Sequence, residues 1–90
     1  MNFEWDPAKA AENVRKHGVS FEAAARAFED ELSATFPDPD HSRAEARLIT
    51  YGFGIDRKLL VISHTEHGDT IRIISARFAT NKERKRYEAY

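Results

Sequence analysis

The chain contains no cysteine, which excludes disulfide bonds and thiolate metal sites. It also has no run of about 18 apolar residues, the length that a membrane-spanning helix requires. The first six residues are acidic and aromatic, unlike a signal peptide, so we expect a cytoplasmic protein without a membrane segment. Lacking disulfides, a chain of this size depends on its core or on a partner for stability.

Ninety residues predict a single domain, 1–90, with 41% hydrophobic residues to form one modest core. The net charge of −1 is distributed unevenly, because residues 70–90 carry +4 and the rest of the chain carries −5. A polyanion could therefore be held by the C-terminal part of a nearly neutral protein. The simpler alternative is a charged helix that only faces solvent.

Two helices are predicted near the N-terminus. Asp6 and Pro7 suit the N-cap and first position of a helix, and Gly18 suits its left-handed C-terminal cap. Ser20 is a second N-cap, and apolar residues at helical spacing predict a helix over Phe21–Phe28. A third helix begins near Asn81, where 80–83 match a capping box.

Strands are predicted between these helices and before the first of them. Phe3-Glu4-Trp5 suits a first strand or an anchored terminus, and 34–36 suit a brief strand that prolines confine to an edge. Strands over Glu45–Phe53, Leu59–Thr65 and Ile71–Arg77 are separated by turns at 55–58 and 66–69. The order β-α-α-β-β-β-β-α predicts an α+β fold with an antiparallel sheet.

The segment Ile71–Arg77 combines three isoleucines with two arginines, which stay charged wherever the strand places them. Strand alternation puts Arg72 and Arg77 on opposite faces unless a bulge intervenes. These arginines are either ion-paired at a sheet edge or form a cationic site for phosphate or carboxylate. Arg77 is the favoured central residue, because it lies nearest the basic helix.

Polar residues that could converge on one sheet suit metal-independent cleavage of RNA. That reaction needs a base, an acid and cations around the phosphorane-like transition state. Each residue also has a structural explanation, such as a polar loop, an exposed strand charge or a hydrogen-bonded histidine beside the core. His64-x-x-His67 lacks the further ligands of a zinc site, so no metal or cofactor is predicted. The candidate residues are His41, Glu45, Arg47, His64, Arg72, Arg77, Lys82 and Arg84.

Three blocks of sequence resemble the BrnT family, the toxins of bacterial type II toxin–antitoxin pairs. The blocks cover nearly the whole chain, and the Lys-His-Gly and Ile-Ser-Ala-Arg segments are quite specific together. They are Phe3-x-Trp5-Asp6-Pro7-x-Lys9-x-x-x-Asn13-x-x-Lys16-His17-Gly18-Val19-x-Phe21, then His41-x-x-x-Glu45-x-Arg47, then Ile71-Arg72-Ile73-Ile74-Ser75-Ala76-Arg77-x-Ala79 with Glu83-Arg84-x-x-Tyr87.

The resemblance implies a RelE-like α+β fold, with two N-terminal helices, a small antiparallel sheet and one C-terminal helix. It implies a ribonuclease that inhibits translation and is neutralised by a BrnA-like antitoxin in a hetero-oligomer, with DNA bound only through the antitoxin. Position 67, where relatives are expected often to carry arginine, is histidine here, which could retune RNA binding.

The roles that we assign to individual residues are hypotheses. Arg77 and Arg72 would hold the scissile phosphate or organise the site, and Glu45 and His41 would act as acid and base. RNA would be bound by Arg47, His64, Lys82 and Arg84. The alternatives are a non-catalytic module that binds RNA or a partner, and an inert homologue that acts only within a repressor complex.

Overall fold

The computed structural model describes residues 1–40, 46–54 and 56–89. Its elements follow the predicted order, which confirms the α+β fold. The strand predicted from Glu45 begins at Leu48, and residue 45 itself lies outside the described ranges. The strands are β1 (Asn2–Glu4), β2 (Ala34–Pro37), β3 (Leu48–Phe53), β4 (Leu59–His67) and β5 (Thr70–Phe78), and the helices are α1 (Pro7–His17), α2 (Phe21–Ala27) and α3 (Asn81–Glu88).

Local hydrogen bonds set the helix ends. The Asp6 carboxylate accepts a hydrogen bond from the backbone N–H of Ala8 at 2.9 Å, and α1 ends at Gly18, whose φ is +69°. At the start of α3, the Thr80 hydroxyl accepts from the Glu83 N–H at 3.1 Å, while the Glu83 carboxylate accepts from the Thr80 N–H at 2.9 Å. These contacts confirm the predicted N-cap, C-cap and capping box.

The five strands form one sheet in the order β1-β5-β4-β3-β2. The pairs β2–β3, β3–β4 and β4–β5 are antiparallel, as predicted, whereas β1 runs parallel to β5. The last two antiparallel pairs are joined by short turns, which require opposite strand directions. Two helices and most of the sheet separate β1 from β5 along the chain, so no turn constrains the direction of β1.

Helices α1 and α2 cover one face of the sheet. Phe21, Ala24 and Ala27 of α2 are fully buried against apolar side chains of β4 and β5, including Ile62 and Ile73. The opposite face, which we call the distal face, is crossed in part by α3. Strand pairing places on the distal face Ile49, Tyr51, Val61, Ser63, Thr65, Arg72, Ser75 and Arg77.

The buried side chain of Asn13 joins α1 to the edge of β5. Its amide nitrogen donates to the carbonyl oxygens of Val19 and Ala76, both at 2.8 Å, and its amide oxygen accepts from the Ala76 N–H at 3.1 Å. Ala76 pairs with β4 on one side, but on the other side β1 reaches only residues 70–72 of β5, and no described strand continues the pairing at Ala76. The asparagine amide supplies the missing hydrogen bonds there.

Helix α2 also packs very closely on β3. A Cβ atom added at Gly52 would lie 2.5 Å from the carbonyl oxygen of Ala27, which is too close for any side chain. In the described ranges, no helix is long and apolar enough to cross a membrane.

Candidate functional site

A β-bulge interrupts the pairing of β4 with β5. Ser63 pairs with Ser75, but the next residue of β4, His64, pairs with Ile73. Ile74 is therefore an extra residue on β5, with no counterpart on β4. On the far side of the bulge the strand continues with its alternation of faces shifted by one position.

The bulge brings Arg72 and Arg77 to the same face of the sheet. Arg77 pairs with Val61 and Arg72 pairs with Thr65, and these two β4 residues, four positions apart on a continuous strand, share a face. The sequence predicted opposite faces for the two arginines unless a bulge intervened, and the bulge at Ile74 is that exception. Both guanidinium groups thus extend from the distal face.

Arg77 is bound to Glu83 of α3 through a two-bond ion pair. Its Nη1 and Nη2 atoms donate to Oε1 and Oε2 of Glu83 at 2.8 and 2.9 Å, and Nη1 also lies 3.2 Å from the carbonyl oxygen of Phe78. The hydrogen bond from Arg77 lowers the pKa of Glu83 to about 2, and the same hydrogen bond raises the pKa of Arg77. Both groups therefore remain charged at neutral pH.

This pairing leaves part of the Arg77 guanidinium available. A guanidinium has five N–H donors, and the contacts to Glu83 and Phe78 use only those on the two terminal nitrogens. Among the described residues, neither Nε nor the second hydrogen of Nη2 has a hydrogen-bond partner. These two adjacent donors form a fork that matches two oxygens of a phosphate. The side chain is 42% exposed, so an anion can reach the fork.

Arg72 lies further along the distal face, towards β1. Its Nη1 atom is 3.4 Å from Oε1 of Glu4, and both side chains are about half exposed. Thr65, directly opposite Arg72 on β4, is buried, and its hydroxyl has no hydrogen-bond partner among the described residues. Exposed ion pairs of this kind are weak, so Arg72 remains accessible to a competing anion.

The two predicted RNA-binding residues of α3 lie beyond Glu83. Arg84 donates from Nε to Glu88 at 3.2 Å and lies 5.8 Å from the centre of the Phe53 ring. Lys82 is exposed on the same helix. Because Glu83 binds Arg77, this ion pair holds α3, with its lysine and arginine side chains, at the edge of the distal face.

Arg47 is half buried immediately before β3, where its carbonyl oxygen accepts a hydrogen bond from the Asp38 N–H at 2.9 Å. The acid and base candidates His41 and Glu45 lie outside the described residues, so their assignment stays a prediction.

His64 is fully buried on the face that α1 and α2 cover. Its Nε2 atom lies 2.7 Å from the Thr50 hydroxyl, and its ring packs edge-on against Phe28. Its Nδ1 atom has no hydrogen-bond partner in the part of the chain that the structure describes. Burial lowers its pKa from 6.5 to about 4, so the ring is neutral. The structure therefore separates His64 from the two arginines by the thickness of the sheet, and its prediction as an RNA-binding residue gains no support from this position.

Other residues near Arg77 were not singled out as candidate site residues. Glu83 was recognised as part of a capping box and of the family motif, although it also positions the guanidinium. Tyr51 and Phe36 lie on neighbouring strands and pack edge-on, with ring centres 6.0 Å apart, and Tyr51 also stacks on Tyr87 of α3. The strand predicted over Glu45–Phe53 includes Tyr51, but the sequence could not show that α3 would pack against this residue.

No group of three or more His, Asp or Glu side chains that could hold a metal ion occurs within the described ranges.

Comparison with known proteins yields one family and a solved structure. The family model described as "Ribonuclease toxin, BrnT, of type II toxin-antitoxin system" matches residues 5–83. The crystal structure of the Brucella abortus ribonuclease toxin BrnT is similar to this fold, with a TM-score of 0.71 and 29% sequence identity over 90% of this chain and 99% of that one. Among curated proteins no match was found.

Proposed function

The chain belongs to the BrnT family of ribonuclease toxins of type II toxin–antitoxin systems, and from this premise we propose that it cleaves RNA without a metal ion. By cutting RNA in the cytoplasm it inhibits translation. A BrnA-like antitoxin binds it in a hetero-oligomer and neutralises it. Any contact with DNA is made by the antitoxin.

One observation carries the proposal: Arg77 is oriented by Glu83 and keeps an unused pair of donors on the same sheet face as Arg72. A phosphodiester that accepts hydrogen bonds from Nε and Nη2 of Arg77 has its negative charge matched by a rigid fork. Glu83 holds that fork before substrate arrives. Pre-oriented charge of this kind stabilises a transition state at little further reorganisation cost.

The proposed reaction is transesterification followed by release of a cyclic phosphate. A base removes the proton of the 2′-hydroxyl, and the 2′-oxygen forms a bond to phosphorus. The bond from phosphorus to the 5′-oxygen breaks, and an acid supplies the proton that this leaving oxygen requires. We assign these two roles jointly to His41 and Glu45, without specifying which residue is the acid and which is the base. Arg77 stabilises the added charge on the phosphorane oxygens, with Arg72 as the second cation of the face.

The charge of α3 supports RNA as the substrate. Lys82 and Arg84 extend from the helix that Glu83 ties to Arg77, and both are exposed. Contacts between such cations and phosphates bind a nucleic acid along its backbone without reading its sequence. We assign these two residues to the RNA backbone on either side of the scissile phosphate.

Purified protein incubated with RNA in EDTA tests the proposal. The expected products end in a 2′,3′-cyclic phosphate on one side and a 5′-hydroxyl on the other, and expression of the chain without antitoxin arrests growth. If RNA stays intact in EDTA but is cut when a divalent ion is added, the metal-independent mechanism is wrong. Intact RNA under both conditions would reject the nuclease assignment.

A second candidate function is a non-catalytic module that binds RNA or a protein partner within an autorepression complex. It is favoured by the ion pairs that already engage Arg72 and Arg77 with Glu4 and Glu83. This module would retain RNA in a salt-sensitive manner without cutting it. Tight antitoxin binding with no interaction with RNA would instead indicate a purely structural role.

A further inference from the structure

A cleft of about 330 Å³ lies between α3 and the distal face of β2 and β3. Its apolar walls come mainly from aromatic and proline rings, and its remaining lining residues are charged. The residues that line it are Phe36, Pro37, Pro39, Ile49, Tyr51, Glu83, Arg86 and Tyr87. None of these belongs to the residues assigned above to the phosphate or to acid–base chemistry.

The aromatic walls are held in place by their neighbours. Tyr51 packs edge-on against Phe36, at 77° and 6.0 Å between ring centres, and lies nearly parallel to Tyr87, at 22° and 6.1 Å. The Tyr87 hydroxyl donates a hydrogen bond to the carbonyl oxygen of Leu32, which ties the end of α3 to the loop before β2. The rings are thus ordered before any ligand enters, so little conformational entropy is lost on binding.

The charge at the cleft favours an anionic ligand with a flat apolar part. Arg86 lines the cleft and is exposed, and it forms no ion pair with any residue in the described ranges. Among the described lining residues, the other charged side chain is that of Glu83, which is already neutralised by Arg77. Aromatic walls beside a free arginine match the base and the phosphate of a single nucleotide.

The cleft also lies beside the proposed reaction centre. Glu83 is a wall of the cleft and at the same time the partner of Arg77, at 2.8 Å. If one nucleotide of an RNA strand is bound in the cleft, the phosphodiester groups next to it therefore lie close to the free Nε and Nη2 donors of Arg77. An acidic peptide would also find Arg86, but it would not need the ring walls.

We propose that this cleft is a nucleobase-binding subsite, in which one unpaired base of the RNA substrate packs against Phe36, Tyr51 and Tyr87 while Arg86 holds the adjoining phosphate. The inference rests on the proposed function, because it identifies RNA as the ligand. It adds that the RNA is bound single-stranded, with one base removed from its stack. The subsite sets the position of the scissile phosphate relative to Arg77.

Binding of a short 2′-O-methyl oligonucleotide, which cannot be cleaved, separates the subsite from the chemistry. A set of such oligonucleotides, each with an abasic residue at a different position, is measured by fluorescence anisotropy. With the unmodified chain, one position should lose affinity on the order of tenfold when its base is missing, the loss expected for one stacked base. Phe36→Leu keeps an apolar side chain but removes a ring face, and in this variant the penalty at that position should disappear.

Matched variants control for the fold and for non-specific charge. Phe78→Leu removes a partly exposed ring on the helix-covered face, and Arg26→Gln removes an exposed charge from α2. Both should leave the abasic profile unchanged. Arg86→Gln, which alters an exposed side chain, should weaken every oligonucleotide without removing the position-specific penalty.

Three outcomes overturn the subsite. The first is an equal loss of affinity at all abasic positions, and the second is a position-specific loss of affinity that persists in Phe36→Leu. The third is a cleft that binds an acidic peptide but no oligonucleotide. Cleavage of RNA in EDTA is measured on the same proteins. If the unmodified chain cleaves RNA and both Phe36→Leu and Arg86→Gln cleave it equally well, the subsite is rejected and the nuclease assignment is retained. If the unmodified chain does not cleave RNA, the nuclease assignment is rejected, whatever the binding result.

Discussion

Arg72 and Arg77 lie on the same face of β5, although five positions along a regular strand would separate them to opposite faces. The extra residue Ile74 accounts for this relationship. It lets Ile71 and Ile73 stay in the core on one side of the bulge and Ala76 stay in the core on the other. The two arginines are thereby excluded together from the core.

Because Arg72 lies on the same sheet face as Arg77, we predict that Arg72 contributes to RNA binding through a phosphate contact. Replacing Arg72 by Ala should lower the slope of log affinity against log salt by about 0.7, the value for one phosphate contact on a single strand. Arg26→Ala, on the helix-covered side, serves as the control and should leave the slope unchanged. Equal slopes for Arg72→Ala and the unmodified chain would place RNA elsewhere.

Arg77 should be essential for cleavage because of its shape as well as its charge. Arg77→Lys keeps the positive charge but loses the fork of two donors, so we expect roughly a 100-fold fall in the cleavage rate. Arg77→Ala should abolish growth arrest while the fold and antitoxin binding remain intact. The measurements are single-turnover cleavage, circular dichroism and co-purification with the antitoxin. Arg15→Lys, on the surface of α1, is the matched control, and retained toxicity in Arg77→Ala would refute the assignment.

Glu83 should act by positioning Arg77, and its ionisation should appear in the acid stability of the fold. Its pKa is lowered from 4.5 to about 2, so its stabilising contribution is present above pH 4.5 and is lost as the pH falls towards 2. The difference in free energy of unfolding between the unmodified chain and Glu83→Gln should therefore shrink over that interval. In the same variant the rate of the chemical step should fall more than RNA affinity does. Glu88→Gln, at an exposed pair on the same helix, should show no comparable pH dependence.

Asn13 should be a major determinant of stability, since its amide makes three buried hydrogen bonds that join α1, the following loop and β5. Asn13→Ala leaves the N–H and C=O of Ala76 unpaired, so we expect a loss of roughly 2–4 kcal/mol. Urea denaturation followed by circular dichroism measures this loss. Lys9→Ala, an exposed position on α1, should cost far less, and a similar small cost for both variants would contradict the role of Asn13.

His64 should make the fold less stable in mild acid. Its pKa is lowered to about 4 by burial, so between pH 6.5 and 4 the unfolded chain binds a proton that the folded chain does not. Acidification through this interval should cost about 3 kcal/mol at this residue alone. Glu66, whose Oε1 atom lies 4.0 Å from Nδ1, is the acidic group that faces the ring. Urea denaturation of the unmodified chain and His64→Gln from pH 7.5 to 4 tests this, and parallel stability curves for the two proteins would reject it.

Much of the fold follows from short-range signals in the sequence. The caps at Asp6, Gly18 and Thr80 are hydrogen bonds or backbone conformations that involve residues no more than four apart, so their chemistry is visible in a local segment. The turn at Gly68 is likewise local, and its φ of +59° suits glycine. The candidate site was less predictable, because its residues come from strands and a helix that are distant in sequence.

The sequence by itself determined the order of the helices and strands, the positions of the helix ends and the concentration of positive charge after residue 70. It could not determine the parallel pairing of β1, the burial of His64 or the bulge at Ile74, because each depends on the register between segments far apart in the chain. Only the tertiary structure placed Arg72 and Arg77 on one face and brought α3 against Tyr51. The physical reason is that hydrogen bonds between residues close in sequence determine where a helix or strand begins and ends. Packing across the whole sheet determines which side chains lie together on one face.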